Sequence, residues 1–443
     1  MRATPRGRGT PSGRGHPPPF SAPGPAPAPP RAYARHGIRL TRSVMCIPTA
    51  MADHPTSSSP SGDGATAATP PVQHRGLEGV VALDSELSFI DGQAGVLIYR
   101  GYRIEDLAEH ASFEEVAHLL WHGRLPTQAE LDALNRQLRA ERPLPQVIVE
   151  LLYRIPRDAN PMAVLRTAVS ALALVDPEAD DMSREANVRK AIRLTARIPT
   201  IIAAYDRIRR GEEPVAPLQS GSTAYDFLYM LTAEKPGQAA ERTFDTCLVL
   251  HADHGLNAST FTARVIGSTL SDIYSAVTGA IGALKGPLHG GANIEVMKML
   301  RQIDESGADP AAFVREKLAR KERIMGFGHR VYKTMDPRAA ILREMVEDLS
   351  EERNARRWYD YSTAIMEVMI REKGIYPNVD FFSAPVYHML GIAADLFTPI
   401  FAMSRITGWT AHLLEQWQDN RLIRPRAAYV GPRDLTATPL AER

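Results

Sequence analysis

Cysteine is nearly absent: Cys46 and Cys247 are the only two in 443 residues, and they lie far apart. That excludes a disulfide framework and points to a reducing compartment. An excess of charge of one sign is missing too. The 52 Lys and Arg against 51 Asp and Glu leave a formal net charge of +1, which argues against a general nucleic-acid or anionic-membrane binder. No apolar run approaches the roughly 18 residues that a membrane-crossing helix needs. There is no internal repeat and no alternation of strand and helix patterns, so a doubly wound parallel sheet is not expected.

What is present divides the chain in two. Residues 1–73 are dense in Pro, Gly, Ala, Ser and Thr, rich in Arg, and carry no acidic residue before Asp53. So little apolar surface cannot offset the entropy of ordering, and the segment reads as a disordered tail. Its Arg-rich, acid-poor start has the composition of an organellar transit peptide, but its prolines oppose the amphipathic helix such a peptide forms. A dispensable tail is the favoured reading, with Met45 or Met51 as alternative starts.

Order is expected from about Gly76. Leu87–Ile90 and Val96–Tyr99 flank the turn Asp91-Gly-Gln-Ala-Gly95 as a small hairpin. Beyond it the patterns are helical. Ser112 with Glu115, and Thr127 with Glu130, fit capping boxes, and Gly123 followed by Pro126 marks a helix end. Further helical patterns run over about 160–175, 185–209, 223–234, 241–252, 258–284, 292–305, 338–350, 353–373 and 386–417. The expected fold class is mainly α, with a minor N-terminal hairpin.

Four stretches set polar residues among small or apolar ones. In Leu250-His-Ala-Asp-His-Gly-Leu-Asn257, His251 and His254 are spaced to share a helix face. A metal site would need further ligands, none of which is obvious, so substrate hydrogen bonding or a satisfied buried histidine is the alternative. In Gly286-Pro-Leu-His-Gly-Gly-Ala-Asn293, His289 sits on a glycine turn, which leaves a structural or a functional imidazole open. Met325-Gly-Phe-Gly-His329 begins like a dinucleotide fingerprint, but Val331 replaces the third glycine and no strand precedes it. Arg315, Lys317, Arg320, Lys321, Arg323, Arg330, Lys333 and Arg338 make its surroundings basic. Open backbone groups with clustered cations suit a phosphate-rich ligand such as coenzyme A, although a solvated helix face accounts for Arg315 to Lys321. In Tyr376-Pro-Asn-Val-Asp-Phe-Phe-Ser383, Asp380 is either a base made stronger by apolar neighbours or the cap of a helix from Pro385 onward. Arg405, embedded in the apolar run from Phe397, requires an anionic partner: a substrate carboxylate or an internal Asp or Glu. Arg424, in Ile-Arg-Pro-Arg426, is by default a surface residue.

Taken together, GPLHGGAN, GFGHRVYKTMDPR, PNVD and the later SR and RPR elements resemble the citrate synthase family over residues 76–443. The resemblance implies a helical large domain (74–288 and 386–443), a smaller domain (289–385), a cleft between them and a homodimer. It implies that Asp380 removes a proton from the acetyl methyl of acetyl-CoA, that His289 hydrogen-bonds the thioester oxygen, and that His329 hydrogen-bonds and protonates the oxaloacetate carbonyl. His254, Arg338 and Arg405 are implied as oxaloacetate ligands, with Arg424 donated across the dimer. Met325, Gly326, Phe327, Gly328 and Lys333 are implied coenzyme A contacts. The coenzyme A thioester is then a co-substrate, with no tightly bound cofactor and no metal, in a cytoplasmic enzyme of the citric acid cycle. Members with an extra strand-rich N-terminal domain are NADH-inhibited hexamers, and the tail does not resemble that domain. 2-Methylcitrate synthases share the catalytic set and differ in taking propionyl-CoA; one extra methylene is worth only about 1–3 kcal/mol of discrimination. A non-catalytic paralogue would be expected to lack one of His289, His329 and Asp380; all are present.

Overall fold

Local capping rules already set where the first helices begin. The computed structural model describes residues 74–443, so the expected tail over 1–73, with Cys46, lies outside the described residues. Residues 74–78 hold a short 3-10 turn, Arg75–Leu77, and Gly79–Arg443 forms one compact unit.

The hairpin forms where expected: β1 (Ser88–Asp91) pairs antiparallel with β2 (Val96–Tyr99), and a two-residue strand, β3 (Tyr102–Arg103), extends it. Helices follow in chain order: α1 (Ile104–His110), α2 (Phe113–His122), α3 (Gln128–Glu141), α4 (Gln146–Arg154), α5 (Pro161–Leu172), α6 (Arg184–Arg210), α7 (Thr223–Thr232) and α8 (Gln238–His251). Then come α9 (Ala258–Gly267), α10 (Ile273–Leu284), α11 (Ala292–Ser306), α12 (Pro310–Ala319), α13 (Pro337–Glu352), α14 (Arg357–Lys373), α15 (Val379–Met389) and α16 (Phe397–Gln416). Among the described residues the fold is mainly α, as expected.

Both capping boxes are present. Ser112 Oγ accepts from Glu115 N while the Glu115 carboxylate accepts from Ser112 N, and Thr127 with Glu130 repeats this. Gly123 ends α2 in the left-handed conformation, at φ 80°.

Two expected helices each split in two. The pattern over 258–284 breaks at 268–272, where Leu270 takes φ 62° and the Asp272 carboxylate caps α10 through Ser275 N at 2.9 Å. The pattern over 386–417 is really α15 and α16, separated at Gly391 (φ 78°). Apolar periodicity continues across both breaks and hides them.

The core organises around α16. All its residues except Glu415 are buried, which a helix apolar on every side requires. It packs against α6, α9, α10, α2 and α8. Separately, α13 and α11 pack on α15, and α12 and α13 on α14. No helix among the described residues is long and apolar enough to cross a membrane.

Candidate active site

Four chain segments meet around two buried arginines. The first leaves the end of α8. His251 is the last residue of that helix, its Nδ1 2.8 Å from the Cys247 carbonyl. His254 lies in the loop beyond, so the two histidines do not share a helix face. Among the described residues no three His, Cys, Asp or Glu side chains gather as metal ligands. His254 is buried, with Nε2 3.3 Å from the Tyr332 hydroxyl. Burial and the Arg338 charge hold its imidazole well below the usual histidine pKa. Asn257 then caps α9, its Oδ1 accepting from Ser259 N and Thr260 N, each at 3.1 Å.

That cap sets the second element. His289, on the glycine turn between α10 and α11, points Nε2 at Ser259, 2.8 Å from the hydroxyl and 3.3 Å from the backbone N–H that it accepts. The remaining ring proton therefore sits on Nδ1. A helix N-terminus disfavours an imidazolium, and burial, then Arg405, push the His289 pKa down to about 4. The structure thus holds this imidazole neutral and oriented.

The third element is the loop carrying His329. Its Nδ1 accepts the backbone N–H groups of Val331 at 3.0 Å and Tyr332 at 3.2 Å, so the proton sits on Nε2. Burial, then Arg338, lower its pKa to about 4. Its ring centroid lies 5.2 Å from that of His254. Gly326 and Gly328 adopt φ near 80°, and a Cβ on Gly326 would come within 2.7 Å of Val296 and 2.9 Å of Phe381. Only glycine fits there.

These glycines pair the loop with the fourth element. Gly328 N donates to the Tyr376 carbonyl and Asn378 N to the Gly326 carbonyl, both at 2.9 Å. The Phe327 and Phe381 rings pack at 4.5 Å. Asn378, not Asp380, caps α15: its Oδ1 accepts from Asp380 N at 3.0 Å. The helix starts at Val379, and Pro385 lies inside it. This overturns the alternative that Asp380 caps a helix from Pro385. Asp380 keeps one edge open, but its Oδ1 is sealed from solvent without a hydrogen-bond partner among the described residues. Burial raises its pKa to about 6, against the lowering pull of Arg338 and Arg405. A carboxylate that ionises near neutrality and lacks a donor is equipped to take a proton.

The arginines differ. Arg338 grips Asp336 bidentately, Nε to Oδ1 at 3.0 Å and Nη2 to Oδ2 at 2.7 Å. Arg405 donates Nε to the His251 carbonyl at 2.7 Å and lies over the Phe401 ring at 4.7 Å, but it makes no ion pair among the described residues. Burial lowers its pKa to about 10, so it stays charged at neutral pH.

The expected coenzyme A contacts divide. Met325 and Phe327 pack against the core, while Lys333 is exposed, its backbone N–H bonded to the Gly92 carbonyl at 2.8 Å. Of the basic residues nearby, Arg315, Lys317 and Arg320 pair with Glu372, Glu322 and Glu316. Lys321, Arg323, Arg330 and Lys333 are exposed and unpaired among the described residues. Arg424 is exposed in the irregular segment after α16 and is not brought to the other site residues within this chain.

Sequence reasoning missed Ser259, Tyr332 and the pairing role of Asp336. Asn257-Ala-Ser259 held a helix-cap signal, but nothing local links Ser259 to a histidine 30 residues away.

Residues 76–426 match the family profile described as citrate synthase, C-terminal domain. A citrate synthase from Haloferax volcanii is 56% identical over 373 residues, covering 83% of this chain and 98% of that one. A 2-methylcitrate synthase from Mycobacterium tuberculosis is 48% identical over 357 residues, covering 81% and 90%. A ternary complex of Thermoplasma acidophilum citrate synthase with carboxymethyl coenzyme A and oxaloacetate superposes with a TM-score of 0.78, at 36% identity, over 83% of this chain and 99% of that one. With that agreement over nearly all of the described length, the neutral histidines, the orphaned carboxylate and the unpaired arginine find their family: the chain belongs to the citrate synthases.

Proposed function

We propose that this chain joins acetyl-CoA to oxaloacetate and hydrolyses the resulting citryl-CoA to citrate and free coenzyme A. Asp380 carries the reading: its Oδ1 is buried without a donor among the described residues and it ionises near 6, a base held ready at neutral pH.

In this reading Asp380 takes a proton from the acetyl methyl. The negative charge that develops on the thioester oxygen is met by the Nδ1–H of His289, held in that tautomer by Ser259. The enolate carbon attacks the oxaloacetate carbonyl, whose oxygen takes the Nε2 proton of His329 as the C–C bond forms. Arg405 supplies the fork for a substrate carboxylate, which explains a buried guanidinium with no carboxylate partner among the described residues. His254 gives a further hydrogen bond once the substrate displaces Tyr332, and Nη1 of Arg338 remains for the ligand while its other nitrogens hold Asp336. Water then cleaves the citryl thioester, giving the thiol and the new carboxylate. The unpaired cations Lys333, Arg330 and Arg323 suit the phosphates of coenzyme A, beside the Met325–Gly328 loop.

The same reading takes the division into 74–288 with 386–443 and 289–385 as two domains that close on substrate. It includes a homodimer in which Arg424 completes the neighbouring site, a cytoplasmic location, and no need of a metal or redox cofactor. The test is thiol release with oxaloacetate, comparing acetyl-CoA and propionyl-CoA over full concentration series. A higher kcat/KM for acetyl-CoA is expected. A preference for propionyl-CoA would keep the residue roles and change the product to 2-methylcitrate, and no release with either would overturn the reaction.

A further inference from the structure

Two substrate-binding loops on different parts of the fold are tied to one small element, the N-terminal hairpin. Its strands hold the loop that carries His254. Ser88 Oγ, on β1, donates to Asp253 Oδ2 at 2.7 Å and accepts Gly255 N–H at 2.9 Å. Tyr99 Oη, on β2, donates to the Asp253 carbonyl at 2.6 Å. His254 is thus fixed from both sides. Asp253, in turn, faces His412, whose Nε2 lies 3.3 Å from its Oδ1.

The turn of the same hairpin holds the loop that carries His329. Lys333 N–H donates to the Gly92 carbonyl at 2.8 Å. A Cβ on Gly92 would lie 2.2 Å from the Val331 carbonyl oxygen, and one on Gly95 would lie 3.0 Å from the Met335 carbonyl oxygen. The hairpin backbone and the His329 loop are in direct contact, with no room for a side chain between them. Val331 is one of the two residues whose N–H groups set the His329 tautomer.

We infer that the β1–β2 hairpin is a brace that sets the spacing of His254 and His329, with Ser88 and Gly92 as positioning residues for oxaloacetate. A three-stranded ribbon has little core of its own, so an element of this kind tolerates change unless its contacts matter. Here the Ser88 and Tyr99 side chains turn onto the His254 loop, and the backbone of the turn meets the His329 loop. The inference rests on the proposed role of those histidines.

The experiment uses the full chain and reads oxaloacetate binding by calorimetry, alongside steady-state kinetics and thermal unfolding. Ser88→Ala is expected to weaken oxaloacetate binding about tenfold, the usual cost of a lost hydrogen bond to a charged partner. The KM for acetyl-CoA should stay within about twofold. Ser88→Thr, which keeps the hydroxyl, should restore binding. Gly92→Ala should lower kcat as well, because it displaces the His329 loop. Three results would overturn the brace: unchanged oxaloacetate binding in Ser88→Ala, equal losses for both substrates, or a threonine variant no better than alanine at equal thermal stability. Binding is measured directly, so a wild-type chain that binds oxaloacetate without releasing thiol would refute the reaction and still test the brace. A wild-type chain that binds no oxaloacetate would overturn both.

Discussion

Arg338 and Arg405 are both almost completely buried, and they are buried in opposite ways. Arg338 brings its own counter-ion, Asp336, from the cap of the same helix. Arg405 has a backbone carbonyl and an aromatic face, and no carboxylate among the described residues. A guanidinium neutralised within the chain costs little to bury once the pair is formed, and it reports on the fold. One left charged in a dry site is a standing cost that a ligand relieves. The difference separates a charge settled within the fold from one that is not, although both charges act on Asp380.

The largest effect expected from breaking this arrangement falls on the carboxylate between them. Asp380→Asn should lower kcat by about a thousandfold, within the range for loss of a general base, while oxaloacetate binding persists. In the wild type, kcat/KM should rise with pH through about 6, as Asp380 ionises. The stability change has the opposite sign. A carboxyl whose folded pKa is raised binds more protons when folded, so its contribution falls as pH rises from about 4 to 6 and stays lost above. Asp380→Asn should therefore unfold at a higher temperature than wild type at neutral pH. A lower melting temperature there would show that the carboxylate is satisfied after all.

Next in size, the two arginine sites should respond in opposite senses. Arg405→Leu is expected to weaken oxaloacetate binding by about 3 kcal/mol or more, with little loss of melting temperature. Asp336→Ala should destabilise the fold by about 3–5 kcal/mol, because it strands the Arg338 charge. Calorimetry and thermal denaturation of the two variants, side by side, check the comparison. If Arg405→Leu instead melts the protein, the arginine is structural and the contrast fails.

Smallest is the effect of the exposed Arg424. Arg424→Ala should raise the KM for oxaloacetate about tenfold, as loss of one charged contact does. Mixing it with Asp380→Asn should recover activity through hybrid dimers that hold one intact site. No recovery would count against an arginine that crosses between subunits.

Some of this contrast could be read in the sequence. Arg405 lies in so apolar a run that its need for an anion was plain, and no Asp or Glu among the described residues pairs with it. Asp380 among Val379 and two phenylalanines announced a raised pKa, and it took the structure to show that Asn378, not Asp380, does the capping. Capping boxes at Ser112 and Thr127 were legible because they are rules between residues three apart. The breaks at Leu270 and Gly391 were not, since apolar spacing runs through them. Nor was the contact between Ser259 and His289, which depends on how α9 and α10 pack rather than on either segment.

The tautomers of His289 and His329 have a consequence for proton traffic with the medium. Both imidazoles ionise near 4, and His254 is held neutral as well. Near pH 8 the site then holds its donors already loaded and the Asp380 carboxylate already bare. Oxaloacetate should bind there without taking up or releasing a proton, so its binding heat should be the same in buffers of very different ionisation enthalpy. The acid that appears in a turnover assay would come from the hydrolysed thioester, and the enzyme itself would leave the buffer untouched.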